Sequence, residues 1–223
     1  MARTTAGEEA LDLRVVEEPA PPRRTPNPRG EGARLREELL DAADRLLSSG
    51  GAWAEISLRG VAREAGVAAP SVYAHFAQLE DLMLALAAEH QAGLEDAVAR
   101  AASRPGGRAG TDGARIRAAA RAYVRWGLTY PGAYTHLYGG PVMRTLARED
   151  DRSFSASSVL LSTFADALSD LRPAPADPAQ AALALWTALH GLVTLRVGRP
   201  GHAWPGQDRH TDLLVTALTG AAR

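Results

Sequence analysis

The chain has 223 residues, with 25 basic and 26 acidic side chains, a net charge of −1 and a hydrophobic content of 46%. Near-neutrality excludes a protein that coats nucleic acid regardless of sequence. The absence of cysteine excludes disulfides, thiolate metal sites and a cysteine nucleophile. Every basic residue is arginine, which also removes a Schiff-base lysine and a phosphate-loop lysine.

The length suits one small domain and one larger one. No unbroken apolar run approaches the roughly 20 residues of a membrane span. The opening MARTTAGEEALDLR lacks the apolar centre of a signal peptide. A soluble, cytoplasmic protein without membrane partners is the expectation.

Residues 1–31 include EEPAPPRRTPNPRGEG, too poor in apolar surface to offset ordering entropy, and read as a disordered arm. Its Arg23, Arg24 and Arg29 either reach into a minor groove, as some N-terminal arms do, or are simply solvated. From Arg34 the pattern is helical: Leu35, Leu39, Ala42, Ala43, Leu46 and Leu47 recur at three- and four-residue spacing. Gly50-Gly51 ends that helix. Ser57 stands where an N-cap belongs, followed by the stripe Leu58, Val61, Ala62 and Ala65.

Gly66 then supplies a tight turn, and Pro70 suits the first turn of the next helix. Val72 and Phe76, four apart, face inward and leave Ser71, Tyr73, Ala74 and His75 outside. A long helix is expected at 78–102, burying Leu79, Leu82, Leu86, Leu94 and Val98. SRPGGRAGTDG at 103–113 reads as a loop. Further helices are expected at 114–130, 131–138, 141–149, 153–171, 178–198 and 207–221, separated by Pro- and Gly-rich breaks. No alternating strand pattern occurs, so the fold class is all-α.

Few functions require a helix of barely two turns held across another one, and presenting a polar edge to the major groove of DNA leads among them. The run LLDAADRLLSSGG followed by ISLRGVAREAGVAAPSVYAHFAQLEDLMLAL, over about residues 34–86, resembles the DNA-binding domain of TetR-family transcriptional regulators. The resemblance implies a helix-turn-helix domain over 32–78 and a helical ligand-binding and dimerisation domain over 79–223. It implies a homodimer on double-stranded DNA whose reading heads are moved by a small-molecule effector.

Carried onto this chain, it puts Ser57 and Arg59 at phosphates, Ala68, Ala69, Ser71 and Tyr73 at the groove, and His75 at the backbone. Phosphate contacts set register and groove contacts specify sequence. Three positions depart from the family pattern. Ala68 and Ala69 replace a small polar cap and a basic residue, and Leu79 stands where a lysine is common. Residues 32–80 also carry five arginines against seven acids, leaving Arg34, Arg36, Arg59 and the arm to anchor phosphates.

Two further groups stand out in the larger domain. Tyr123, Trp126 and Tyr130 share one helical face, and with Tyr134, His136 and Tyr138 they suit either a ligand pocket with polar handles or plain core packing. Arg121 and Arg125 lie one turn apart and face either an anion or solvent. In LALWTALHGLVTL, Trp186, His190 and Gly191 resemble the Trp-His-Gly signature of one class of TetR-family C-terminal domains. Trp126, Tyr130, Tyr134, His136, Tyr138, Trp186 and His190 are therefore the candidate ligand contacts. Leu185, Leu189, Leu192, Leu213, Leu214 and Leu218 are the candidates for a four-helix dimer interface.

No metalloprotease, nucleophile-elbow or phosphate-loop motif is present, so neither an enzyme nor a cofactor or metal site is expected. The leading expectation is a ligand-responsive, sequence-specific DNA-binding regulator, a repressor acting as a homodimer on a palindromic operator. The alternative is a small-molecule-binding protein of the same fold with weak or lost DNA binding. A helical enzyme using His136 or His190 ranks last.

Overall fold

A computed structural model describes residues 32–49, 56–103, 113–139 and 158–220. Within them the chain is helical throughout: α1 (Gly32–Ser48), α2 (Leu58–Glu64), α3 (Ala69–Tyr73), α4 (Leu79–Ser103), α5 (Ala114–Thr129), α6 (Pro131–Tyr138), α7 (Ser158–Ser169), α8 (Pro178–Gly198) and α9 (Gln207–Thr219). The all-α class expected from the sequence holds. The helix expected at 153–171 is described from Ser158 to Ser169, and α9 ends at Thr219 where 221 was expected. The arm over 1–31, the Gly50-Gly51 break and the helix expected at 141–149 lie outside the described residues.

Local chemistry accounts for the short elements. The Ser57 hydroxyl caps α2 by accepting the Gly60 N–H at 3.1 Å. At its other end Gly66, with φ of +69°, lets the Val67 N–H reach the Ala62 carbonyl and its own N–H reach that of Arg63. These are the paired bonds of a Schellman cap. Pro70 then sits in the first turn of α3. At the start of α8 Asp177 accepts the Gln180 N–H at 3.0 Å, and Pro178 follows it.

Two apolar cores result. The smaller joins Leu39, Leu40 and Ala43 of α1, Val61 of α2, Val72 of α3 and Phe76. The larger is built from α4 to α9, with Tyr123, Phe164, Leu168, Leu185, Leu189 and Val215 fully buried. α4 serves both: Leu82 and Leu86 enter the smaller core, while Met83, Ala87, Leu94 and Val98 enter the larger. Full burial of one such leucine contributes about 1.5–3 kcal/mol. Leu82 and Leu86 lie past the boundary expected at residue 78, so the small domain closes on the first turns of α4.

α8 is long and apolar enough by composition to cross a membrane, although Gln180, Thr187, His190 and Thr194 interrupt its apolar run. Here it packs against α5, α7 and α9 and buries Ala182, Leu185, Leu189, Leu192 and Val193. α5, α6 and α8 meet most closely at Gly127. A Cβ there would lie 2.7 Å from Val193 Cγ1 and 2.8 Å from Tyr134 Cδ2. Gly127→Ala should therefore overpack this junction and destabilise the fold by about 1–3 kcal/mol, read as a lower midpoint in urea unfolding with an unchanged slope.

Candidate nucleic-acid interface and ligand sites

The residues expected at DNA lie along one edge of the small domain. Val72 and Phe76 are buried and hold α3 across α2. This leaves Tyr73 50% exposed, with Ser71 and His75 half-buried beside it. Ser57 and Arg59 are exposed at the start of α2, although the Ser57 hydroxyl is engaged in its cap. Ala68 is exposed and occupies the α3 N-cap without a side-chain bond, whereas Ala69 turns partly into the core. Leu79, in place of the lysine, packs against both cores.

Three of the five arginines of this segment are committed within the domain. Arg34 pairs with Glu38 at 3.2 Å, and Arg45 of α1 pairs with Glu64 of α2 at 2.8 Å. The Arg36 guanidinium lies 5.2 Å from the Phe76 ring centre. Arg59 and Arg63 are exposed and make no ion pair among the described residues. Of the cations assigned to phosphate anchoring, Arg59 is thus the unencumbered one, and Arg63 joins it.

The seven expected ligand residues separate into three places. Tyr134, Tyr138, Trp186 and His190 form one aromatic cluster in the larger domain, with His190 4.8 Å from Tyr138 and 5.8 Å from Trp186 between ring centres. A chain of hydroxyls runs through it. Tyr123 and Tyr134 share a bond of 2.9 Å, and the Tyr134 hydroxyl shares one of 2.7 Å with His190 Nδ1. Burial raises the pKa of both tyrosines and lowers that of His190, so it favours the neutral form of all three.

His136 lies elsewhere. It is buried beneath the junction of the two domains, with its Nδ1 3.2 Å from His90 Nδ1. The His90 Nε2–H in turn donates to Asp44 of α1 at 2.9 Å. Burial lowers the pKa of His90 against the pull of Asp44, and burial with neighbouring His90 lowers that of His136 to about 3. Neutral rings with the proton on His90 Nε2 and on His136 Nδ1 satisfy both contacts. Sequence reasoning missed Asp44 and His90. The available signal was His90 falling in the buried row Leu82, Leu86, Leu94 and Val98 at four-residue spacing.

Trp126 and Tyr130 occupy the third place, an open cleft of about 700 Å³ between α1, α4, α5 and α6. Asp44, Glu89, His90 and Arg125 also line it. Tyr123, expected on the same face, points into the core instead. Arg121 is likewise taken up, by a bidentate pair with Asp212 of α9. Among the described residues no group of three or more His, Asp or Glu is arranged to hold a metal ion.

The dimer-interface expectation needs correction. Leu185, Leu189 and Leu192 are buried in the chain's own core and offer nothing to a second copy. The apolar side chains that α8 and α9 leave exposed are Leu183, Leu195, Leu213 and Leu218, with Leu213 57% exposed and Leu214 partly buried.

A sequence model of the bacterial regulatory proteins of the tetR family matches residues 39–86, and one of the tetracyclin repressor-like C-terminal domain matches 116–221. The chain belongs to the TetR family. An HTH-type transcriptional regulator of Mycobacterium tuberculosis is 29% identical over 134 residues, 60% of this chain and 56% of that protein. The matched region thus spans little more than half of that relative. A Rhodococcus sp. RHA1 protein of unknown function superposes with a TM-score of 0.67 at 26% identity, covering 85% of this chain and 96% of its own. Bacillus subtilis FadR, solved with stearoyl-CoA, shares the fold at a TM-score of 0.64 and 13% identity, covering 84% of this chain and 99% of its own. This is a family of transcription factors, in agreement with the sequence reading that the chain is not an enzyme.

The two buried histidines make stability depend on pH. Both bind protons less readily in the folded chain than at the ordinary value of 6.5. Their contribution is therefore complete above that value and falls as pH drops through it, by about 1.4 kcal/mol per pH unit for a ring that stays neutral. Urea midpoints should fall between about pH 7 and pH 5, and His136→Asn should flatten that decline.

Proposed function

We propose that this protein is a sequence-specific DNA-binding transcriptional regulator, a repressor that works as a homodimer in the cytoplasm and answers to a small organic effector. The observation that carries the reading is the edge of exposed Tyr73 and half-buried Ser71 and His75, along and just past a five-residue helix whose inner side is held by Val72 and Phe76. Ser71 and Tyr73 face the groove, and Ser57, Arg59 and His75 meet phosphates. Ala68 and Ala69 give only methyl contacts, so few bases are read directly.

A second copy covers the exposed leucines of α8 and α9, which form a face without a partner in one chain. Two heads so joined read a palindrome whose half-sites stand about 34–36 Å apart, or a multiple of that. The effector lies against the aromatic cluster, where Tyr138, Trp186 and His190 supply flat surface and polar tips. The stearoyl-CoA of FadR supports a small molecule in this fold, though nothing about its chemistry transfers at that identity.

One observation favours the second reading, a ligand-binding protein of this fold with little DNA affinity. Arg34, Arg36 and Arg45 are engaged inside the domain, and Leu79 is spent on packing. Selection of bound DNA from a random pool separates the two. The regulator returns a defined palindrome, bound below micromolar at physiological salt and lost in Tyr73→Ala. Failure to enrich any sequence supports the second reading.

Arg59→Ala should weaken all sequences alike and lower the salt slope by about one. Leu213→Glu should shift sedimentation from dimer to monomer while the circular dichroism stays helical.

A further inference from the structure

The cleft between α1, α4, α5 and α6 is separate from the aromatic cluster and is shared by both domains. Its volume of about 700 Å³ falls in the range of small-molecule sites. Two features of its wall define what fits. The rings of Trp126 and Tyr130 lie 5.4 Å apart at 52°, making an open aromatic corner, with Tyr130 54% exposed. Gly93 faces the indole, and a Cβ there would already lie 3.8 Å from Trp126 Nε1. The wall of α4 is thus kept low opposite the ring.

The second feature is charge. Asp44 and Glu89 both line the cleft. The Glu89 carboxyl is pushed up, first by burial and then by the negative charges of Asp41, Glu37 and Asp44, with Arg36 opposing. Asp44 and Glu89 thus stand at the opening, and Asp41 and Glu37 of α1 lie close enough to add their negative charge at Glu89. The arginines offset this only in part. Arg36 acts on Glu89 from α1, Arg100 pairs with Asp96 on its own helix, and Arg125 is one exposed guanidinium on the rim. His90 is held neutral. An aromatic corner beside unbalanced carboxylates attracts a cation through the ring quadrupole and through direct charge.

We propose that this cleft is a binding site for a hydrophobic organic cation, with Trp126 and Tyr130 as its aromatic wall and Glu89 and Asp44 as its counter-charges. Asp44 stands on α1 of the reading head and is the acceptor for His90. A cation drawing on that carboxylate weakens the bond between α1 and α4. If the protein is the regulator described above, occupancy of the cleft changes its affinity for DNA at the joint between the domains, without passing through the core of the larger one.

Tetraphenylphosphonium and tetraphenylborate test the charge directly, because they match in size and surface and differ in sign. Binding is measured by calorimetry on the full chain without DNA, so the result is independent of whether the protein reads DNA. The phosphonium should bind saturably and at least about tenfold more tightly than the borate. Trp126→Ala should weaken it by about tenfold and Glu89→Gln, at a partly shielded position, by about fivefold. Absence of saturable phosphonium binding, equal or tighter binding of the borate, or unchanged affinity in both variants would overturn the site. The phosphonium is then added to protein on its selected operator. A shift in DNA affinity that Glu89→Gln reduces is expected, and phosphonium binding without any shift overturns the coupling while the site stands.

Discussion

The fold depends on α4 being buried on two sides at once. Leu82 and Leu86 complete the small core, and Met83, Ala87, Leu94 and Val98 complete the large one. Neither core closes without that helix. A helix apolar around so much of its surface has no freedom to rotate, because any turn that improves one core exposes the other. His90 sits where the two faces meet. An imidazole buried there must keep its hydrogen bonds or pay for their loss, and Asp44 of α1 answers that need from the other domain. The rotation of the reading head is consequently fixed by a polar bond as well as by apolar packing.

The small domain was legible because its turns are set by residues with one structural use each. Ser57 caps, Gly66 reverses the chain at positive φ, Pro70 starts α3, and Val72 and Phe76 anchor it. Each effect acts within a few residues, so no knowledge of distant contacts is required. The larger domain was legible as helices but not as surfaces. α8 is apolar nearly all round, and such a helix does not reveal which leucines face its own core and which face a partner. Leu185 and Leu189 went to the core, and Leu195 and Leu183 stayed outside. Only the positions of α5, α7 and α9 decide between them.

The same limit separated the aromatics. Tyr123 and Trp126 on α5 and Tyr130 at its C-cap follow one another at helical spacing, yet that stripe crosses the edge of the domain. Tyr123 is fully buried at one end and Tyr130 exposed at the other. His136 and Tyr134, two residues apart on α6, point to different neighbours for a related reason. One meets His90 and the other His190, because the short helix is wedged between α4 and α8. Spacing predicts which residues share a helix face, whereas the neighbours of that helix decide what the face is for.

α6 also bears on α1 directly. At Gly132 its first turn lies against the backbone of Leu47 and Ser48, where even a Cβ would come within 3.4 Å of the Leu47 carbonyl oxygen. The reading head is thus held by α4 through Asp44 and His90 and by α6 through Gly132, while His136 ties α6 to α4 at His90. A displacement of α6 relative to α4 cannot leave α1 where it was, since the two attachments would no longer agree. For a ligand to exploit this it must bind one arrangement more tightly than the other, and only that difference shifts the balance. A molecule in the cleft touches α1, α4, α5 and α6 together, so its contacts change with their spacing. A molecule confined to the aromatic cluster acts on α1 only through Tyr134 and the movement of α6.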